Sequence, residues 1–282
     1  KLFKFLHAYA VLVILPFVVF VSIARYSPTA IAGFSNAFVI GFLVSGICFV
    51  LAVAISKRVG DNREKTVAFA LNSAYMNVTY LGFPTVYAVL GTSSLGPAAF
   101  YAMGVGIPHI VLGTVLFTLM SKRRIDARSL VMSVISFPAV FALIAAMLFV
   151  AFSAPLPSFL CERVDSLVTP VFFALMLLLV GYQTTLVDPR KYWSELLSVG
   201  LMRFLFGPAL AYILILALGL SLTRDLSPKP ALLQSAMPPA VFNLILAHNF
   251  KRDTKLYGAL VFYLTLVFLF LVLPVMSVLF LA

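Results

Sequence analysis

Two stretches decide how this chain folds: Asn72-Ser-Ala-Tyr-Met-Asn77-Val-Thr-Tyr-Leu-Gly82-Phe-Pro84 and Gln234-Ser-Ala-Met-Pro238-Pro239-Ala-Val-Phe-Asn243. Each interrupts an otherwise apolar run with proline and amide side chains. A proline inside a helix removes one backbone donor and clashes with the carbonyl four residues back, so both runs are expected to break. What the freed peptide groups do depends on the solvent around them.

Composition identifies that solvent as lipid. Apolar residues make up 63% of the chain, charged residues only 10%, and mean hydropathy is +1.11. A soluble domain keeps about a quarter of its residues charged. Nine runs are each long enough to span a bilayer: approximately 5–24, 31–56, 65–90, 96–121, 130–153, 167–186, 196–220, 231–250 and 256–282.

The net charge of +11 does not point to nucleic acid, because the basic residues alternate between short loops. With the Lys1 end in the cytoplasm, fifteen fall on the inner side: Lys1, Lys4, Lys57, Arg58, Arg63, Lys65, Lys122, Arg123, Arg124, Arg128, Arg190, Lys191, Lys251, Arg252 and Lys255. Only Arg25, Arg163, Arg224 and Lys229 fall outside, with Arg203 left inside a span. This is the positive-inside distribution. It places the C-terminus outside, in a multi-pass protein of the plasma (inner) membrane, and makes anionic inner-leaflet lipid the expected loop partner. Cys48 and Cys161 form no metal or disulfide pattern, and the first apolar run reads as a true span, since it is too long for a signal peptide and has no small-residue cleavage site.

The two broken runs occupy matching positions, third and eighth, each followed by one long span. Working outward, the first span (Leu15-Pro16-Phe17) pairs with the sixth (Thr169-Pro170-Val171), the second with the seventh and the fourth with the ninth, leaving the fifth unpaired. Transporters are commonly built from two such inverted repeats, with discontinuous helices at the substrate site. The odd total leads us to expect a further N-terminal span of about 25 residues before Lys1.

In hydrocarbon, irregular backbone survives only when it is buried in protein or lines a wet cavity. Asn72, Asn77, Thr79 and Asn243 can satisfy the freed groups or a ligand. Pro84 and Pro239 are expected to open the second half-helices, whose N-termini favour an anion such as a carboxylate. The bland alternative is a pair of proline kinks with internally paired polar groups.

At these residues the chain resembles the auxin efflux carrier family, within the superfamily of bile acid, arsenite and related transporters. Asn77-Val-Thr-Tyr-Leu-Gly82-Phe-Pro84 looks like that family's Asn-x-x-x-Leu-Gly-x-Pro signature. The stretch from Ala236 through Asn243 and Asp253 to Pro274 is similar to its second crossover and final helix. The resemblance implies two inverted five-helix repeats, a substrate that is a small organic anion, and a homodimer formed through scaffold helices. It also implies a scaffold (panel) domain at 1–28 and 129–188 and an elevator-like transport (core) domain at 29–128 and 189–282, with crossovers near 72–84 and 234–243. The short central loop near Arg123 suggests a prokaryotic member. The substrate site so implied comprises Asn77, Thr79, Tyr80, Gly82, Pro84, Met237, Pro238, Pro239 and Asn243, with Arg203. Asn72, Gln234 and His109 are candidates for ion or proton coupling.

Arg203 is the one strong charge within a span; it either draws the anion or extends to the interface. His109 follows Pro108, and lone helical histidines are more often packing residues than proton carriers. Gln234 and Asn36 read more simply as interhelical hydrogen-bonding groups. No carboxylate lies at the crossing, which leaves coupling to Na⁺ or H⁺ open, although exposed carbonyls and amide oxygens near Asn77 and Asn243 can hold Na⁺, as sodium-coupled relatives imply. No metal or cofactor is expected, and no nucleophile and base or metal cluster supports an intramembrane enzyme. A sodium-coupled carrier of the bile acid type, a passive uniporter and a channel remain the rivals.

Overall fold

The computed structural model describes residues 2–59, 62–121, 124, 126–135, 137–152, 155–183 and 187–281. Lys1, Asp61, Lys122, Arg123 and the expected span ends Ser153, Leu186 and Ala282 lie outside the described residues, as do the side chains of Lys4, Lys57 and Arg58.

Among the described residues the regular elements are helical, apart from one antiparallel bridge pairing Met76 with Pro239. In chain order the helices are α1 (2–24), α2 (Pro28–Val59), α3 (Arg63–Ala74), α4 (Val78–Leu90), α5 (Leu95–Met120) and α6 (Ala127–Ile135). They continue with α7 (Pro138–Ala151), α8 (158–183), α9 (Pro189–Ala217), α10 (Pro228–Ser235), α11 (Val241–Asn249) and α12 (254–281). Five segments are long and apolar enough to cross a membrane: Phe5–Ala24, Pro28–Ser56, Thr92–Met120, Pro189–Ala217 and Thr254–Phe280. Three more of the expected spans are interrupted, after Ala74, near Phe137-Pro138 and after Ser235. The chain is an all-helical polytopic membrane protein.

Prolines shape the rods. Five π-helical turns, Ala10–Ile14, Val78–Gly82, Val164–Val168, Met202–Phe206 and Phe268–Val272, each end two residues before a proline, at Pro16, Pro84, Pro170, Pro208 and Pro274. Proline cannot donate to the carbonyl four residues back, and the chain widens by one residue to accommodate it. In four of the five, the residue just before the proline donates five residues back: Leu15 to Ala10, Thr169 to Val164, Gly207 to Met202 and Leu273 to Phe268.

The closest helix pair is α2 with α5. A Cβ on Gly104 would lie 2.2 Å from Phe38 O, and one on Gly41 would lie 2.6 Å from Tyr101 O. Glycine is what lets these backbones touch. On another flank α1 packs against α7, with Phe20 edge-on to Phe149 at 5.5 Å. Arg25, just past α1, holds Asp165 of α8 through two bonds of 2.8 Å, and α8 in turn lies against the first turn of α4. On the opposite side of the molecule Lys65 of α3 pairs with Glu195 of α9 at 2.9 Å.

Candidate functional site

The two breaks meet. Asn77 N–H donates to Pro238 O at 2.8 Å, and Ala240 N–H donates to Tyr75 O at 3.0 Å, bracketing the Met76–Pro239 pair. Pro239 occupies the position of this small antiparallel bridge that exchanges no hydrogen bond, so its missing N–H costs the ladder nothing. Each bond joins groups that would cost about 1–3 kcal/mol if buried unpaired.

The half-helix openings differ from the sequence reading. Pro84 does not open α4; the rod starts two turns earlier at Val78, capped by Asn77, whose Oδ1 accepts from Tyr80 N–H at 3.2 Å. Pro84 instead sits after the π turn, in the first turn of the regular α-helix. Pro239 lies outside α11, which opens at Val241 with Ala240 as an N-cap that has no side-chain bond. The pyrrolidine ring of Pro239 fixes extended chain at the bridge, and the helix begins only once that pairing ends.

Beside the crossing a small cleft of about 60 Å³ is lined by Met76 to Tyr80, by Ala102, Val105, Gly106, His109 and Ile110 of α5, and by Phe137, Ala240 and Phe242. It has no acidic lining residue. Asn77 is buried, its Nδ2 is without a partner, and it belongs to this lining. The N-terminal ends of α4 and α11 therefore converge on one apolar cleft with a buried amide donor, an environment suited to a small anion.

His109 is fixed in this wall. Its ring stacks on Tyr75 at 4.3 Å and meets Phe242 edge-on at 5.1 Å. Asn243 Nδ2 donates to Leu71 O at 3.3 Å and to Asn72 Oδ1 at 3.2 Å, which leaves its Oδ1 to accept. His109 Nε2, 2.7 Å from that oxygen, must then carry the proton. This tautomer is assigned from the network. It leaves Nδ1 as the ring nitrogen outside the network. Asn72 completes the chain by donating to Ala68 O at 2.7 Å.

The remaining candidate residues divide into groups. Thr79 and Tyr80 line the cleft, and the Tyr80 hydroxyl meets His7 Nε2 of α1 at 2.9 Å. Gly82 packs against Gln234, whose Nε2 reaches Val78 O at 3.5 Å, so both bind the two halves together behind the cleft. Met237 and Pro238 form the crossing strand without lining the cleft. Asn243 and Asn72 are spent on the network with His109. Arg203 neither lines the cleft nor extends to the interface. It is wholly buried, bonded to Cys48 Sγ at 3.6 Å, so the snorkelling reading is corrected.

Several neighbours of the cleft escaped the sequence reading: His7, Tyr75, Phe137 and Phe242. Tyr75 and Phe242 lie within the quoted stretches and were legible as neighbours of the breaks. Nothing in the sequence pointed from His7 to a residue 73 positions away.

Comparison with known proteins gives a consistent set. Residues 1–129 match the model of the family described as membrane transport protein, a match that contains the first signature, Asn77 to Pro84. Over 268 residues the chain is 25% identical to an uncharacterized transporter of Methanocaldococcus jannaschii, covering 93% of this chain and 85% of that protein. It is 23% identical over 269 residues to an uncharacterized transporter of Methanothermobacter thermautotrophicus, covering 94% and 85%. Both relatives are archaeal, in keeping with a prokaryotic member. The resemblance drawn from the crossing residues thus agrees with a family match over the first 129 residues and with whole-chain similarity to named transporters, and points to a membrane transporter rather than an enzyme.

Proposed function

We propose that this chain is a secondary transporter for a small organic anion of the carboxylate type, bound at the crossing and carried by elevator-like alternating access. The observation that carries this reading is the convergence of two half-helix N-termini and the unpartnered Asn77 Nδ2 on a cleft free of acidic lining. A carboxylate there would take its hydrogen bonds from Asn77 and from the first peptide N–H groups of α4 and α11. Thr79, Tyr80 and His109 supply the side walls.

In this reading the nine spans form two inverted repeats around the crossing. Residues 1–28 and 129–188 are the scaffold, through which two copies pair, and 29–128 and 189–282 move. The cleft's 60 Å³ is about the room of two water molecules, well below the 300 Å³ or more of common ligand sites. Entry of a carboxylate therefore requires the cleft to widen, as when the crossing and α5 move away from Phe137, the lining residue on the scaffold side, which is the motion an elevator makes. The His7–Tyr80 bond is one contact that motion breaks. The protein would sit in the inner membrane with its Lys1 end in the cytoplasm.

Solute counterflow in proteoliposomes tests the reading. Vesicles preloaded with each of a panel of mono- and dicarboxylates should transiently accumulate the same labelled compound. Flux that never saturates and shows no counterflow would replace the carrier with a channel.

A further inference from the structure

Arg203 carries a charge that the cleft does not use. It lies in the π turn Met202–Phe206 of α9 and is wholly buried. Its Nη2 has only the Cys48 thiol, a poor acceptor, at 3.6 Å, while Nε and Nη1 have no hydrogen-bond partner. Among the described residues no carboxylate pairs with it. A guanidinium stays protonated inside proteins, so something other than an acid must balance it.

The crossing supplies that balance. A Cβ on Gly207, four residues along α9, would lie 3.0 Å from Arg203 Nη2 and 3.0 Å from Ser235 O. The guanidinium and the last carbonyl of α10 thus flank the same face of Gly207, where that half-helix runs into the crossing, with no hydrogen bond between them. The same π turn packs against α3, the half-helix that enters the crossing from the other repeat. Helix C-terminal ends carry partial negative charge, and broken-helix transporters use such ends, with unwound carbonyls, to hold a coupling cation. An anion bound at Nε and Nη1 would face carbonyl ends of the wrong sign.

We propose that Arg203 is a tethered cation: its guanidinium takes the place of a mobile coupling ion behind the crossing, so that transport proceeds without Na⁺. Arg203 is in this sense a positioning residue, setting a positive charge beside the C-terminal end of α10 and the packed face of α3 while the opposite face of the crossing receives the solute. The proposal rests on the crossing being the transport site, and goes beyond it by assigning the charge that stabilises the crossing. A Cβ at Gly207 would press on both Nη2 and Ser235 O, so the glycine leaves the guanidinium room beside that carbonyl.

The test uses the thermal unfolding midpoint of the purified full chain, at constant ionic strength, in sodium chloride, potassium chloride, choline chloride and sodium methanesulfonate. Wild type should unfold at one temperature in all four. Arg203→Ala should unfold several degrees lower, and millimolar methylguanidinium, but not choline, should restore part of the loss. A sodium-specific rise in the wild-type midpoint would overturn the proposal, because a mobile cation would then be bound. Chloride stabilising wild type above methanesulfonate, with the difference lost in Arg203→Ala, would make the guanidinium an anion site instead. An Arg203→Met protein as stable as wild type, or an Arg203→Ala protein indifferent to methylguanidinium, would equally end it. Should Arg203→Ala not fold, the four-salt comparison on wild type still decides. None of these arms contains an organic carboxylate, so their failure is distinct from a failure of counterflow.

Discussion

Replacing Asn77 with serine separates its two jobs. Its Oδ1 caps α4 by accepting from Tyr80 N–H, and its buried Nδ2 has no partner within the protein. Serine caps a helix about as well as asparagine, so the stability of Asn77→Ser should stay within about 0.5 kcal/mol of wild type. The Nδ2 donor is lost, and the shorter serine hydroxyl, held at the cap, does not reach the place that Nδ2 occupied. A hydrogen bond to a charged group is worth about 1.5–3 kcal/mol, and each 1.4 kcal/mol is tenfold in affinity. Binding should therefore weaken by roughly 10- to 100-fold. Two companions sharpen the test. Asn77→Ala loses the cap as well and should cost about 1 kcal/mol in stability. Asn77→Asp keeps the cap but buries a carboxylate, whose desolvation opposes the favourable helix-end charge, and it should abolish carboxylate binding. The assay is calorimetric titration with a carboxylate that wild type exchanges in counterflow, beside thermal unfolding of each variant. If Asn77→Ser and Asn77→Asp both bind that ligand within twofold of wild type, the N-terminal cleft is not where the carboxylate sits.

Other residues give further predictions. Gly104→Val forces a branched side chain against Phe38 O, only 2.2 Å from where its Cβ must go, and should cost about 2 kcal/mol or more as α2 and α5 separate, read as a lower unfolding midpoint. Asn243→Leu leaves His109 Nε2, Leu71 O and Asn72 Oδ1 each short of a bond and should destabilise by roughly 2–4 kcal/mol, whereas Asn36→Leu on α2 should change little; equal effects of the two would contradict the network. Arg25 and Asp165 are partly exposed, at 17% and 27% of their side-chain surface, so a double-mutant cycle of Arg25→Gln and Asp165→Asn should give a coupling of only about 1 kcal/mol that shrinks with added salt.

What the sequence made legible is what local chemistry dictates. Lipid solvation follows from composition, and the two breaks follow from prolines flanked by amides, because no continuous helix accommodates Pro238-Pro239 in its interior. The meeting of the breaks came from the symmetry of their positions. The half-helix openings were misread because the preference of proline for a first turn was applied to Pro84 and Pro239 separately from the bridge. Once Asn77 and Ala240 donate across the crossing, the helix can begin only after them. Of the two roles that sequence left open for Arg203, depth along the chain could not exclude the route to the interface; its complete burial within the π turn before Pro208 does. His7 and Tyr80, far apart in sequence, could be joined only by tertiary packing.

The two breaks look equivalent in sequence, each an asparagine near a proline, and their geometry makes them unequal. Asn77 precedes its half-helix and caps it, leaving a donor for the cleft. Asn243 comes two residues after the start of its half-helix and points the other way, tying His109 to the end of α3. One repeat thus supplies the side-chain donor to the solute and the other supplies the brace that holds the wall. An inverted repeat with identical roles on both sides would present the solute with a symmetric site. If the proposed carboxylate binds here, the asymmetry would give it one preferred orientation, with its carboxylate toward Asn77 and the rest of the molecule against Val105, Ile110 and Phe137. Enlarging the apolar side, as in Ile110→Ala, should then widen the range of carboxylates exchanged in counterflow without weakening the carboxylate contact itself, while a change confined to affinity would place the apolar end elsewhere.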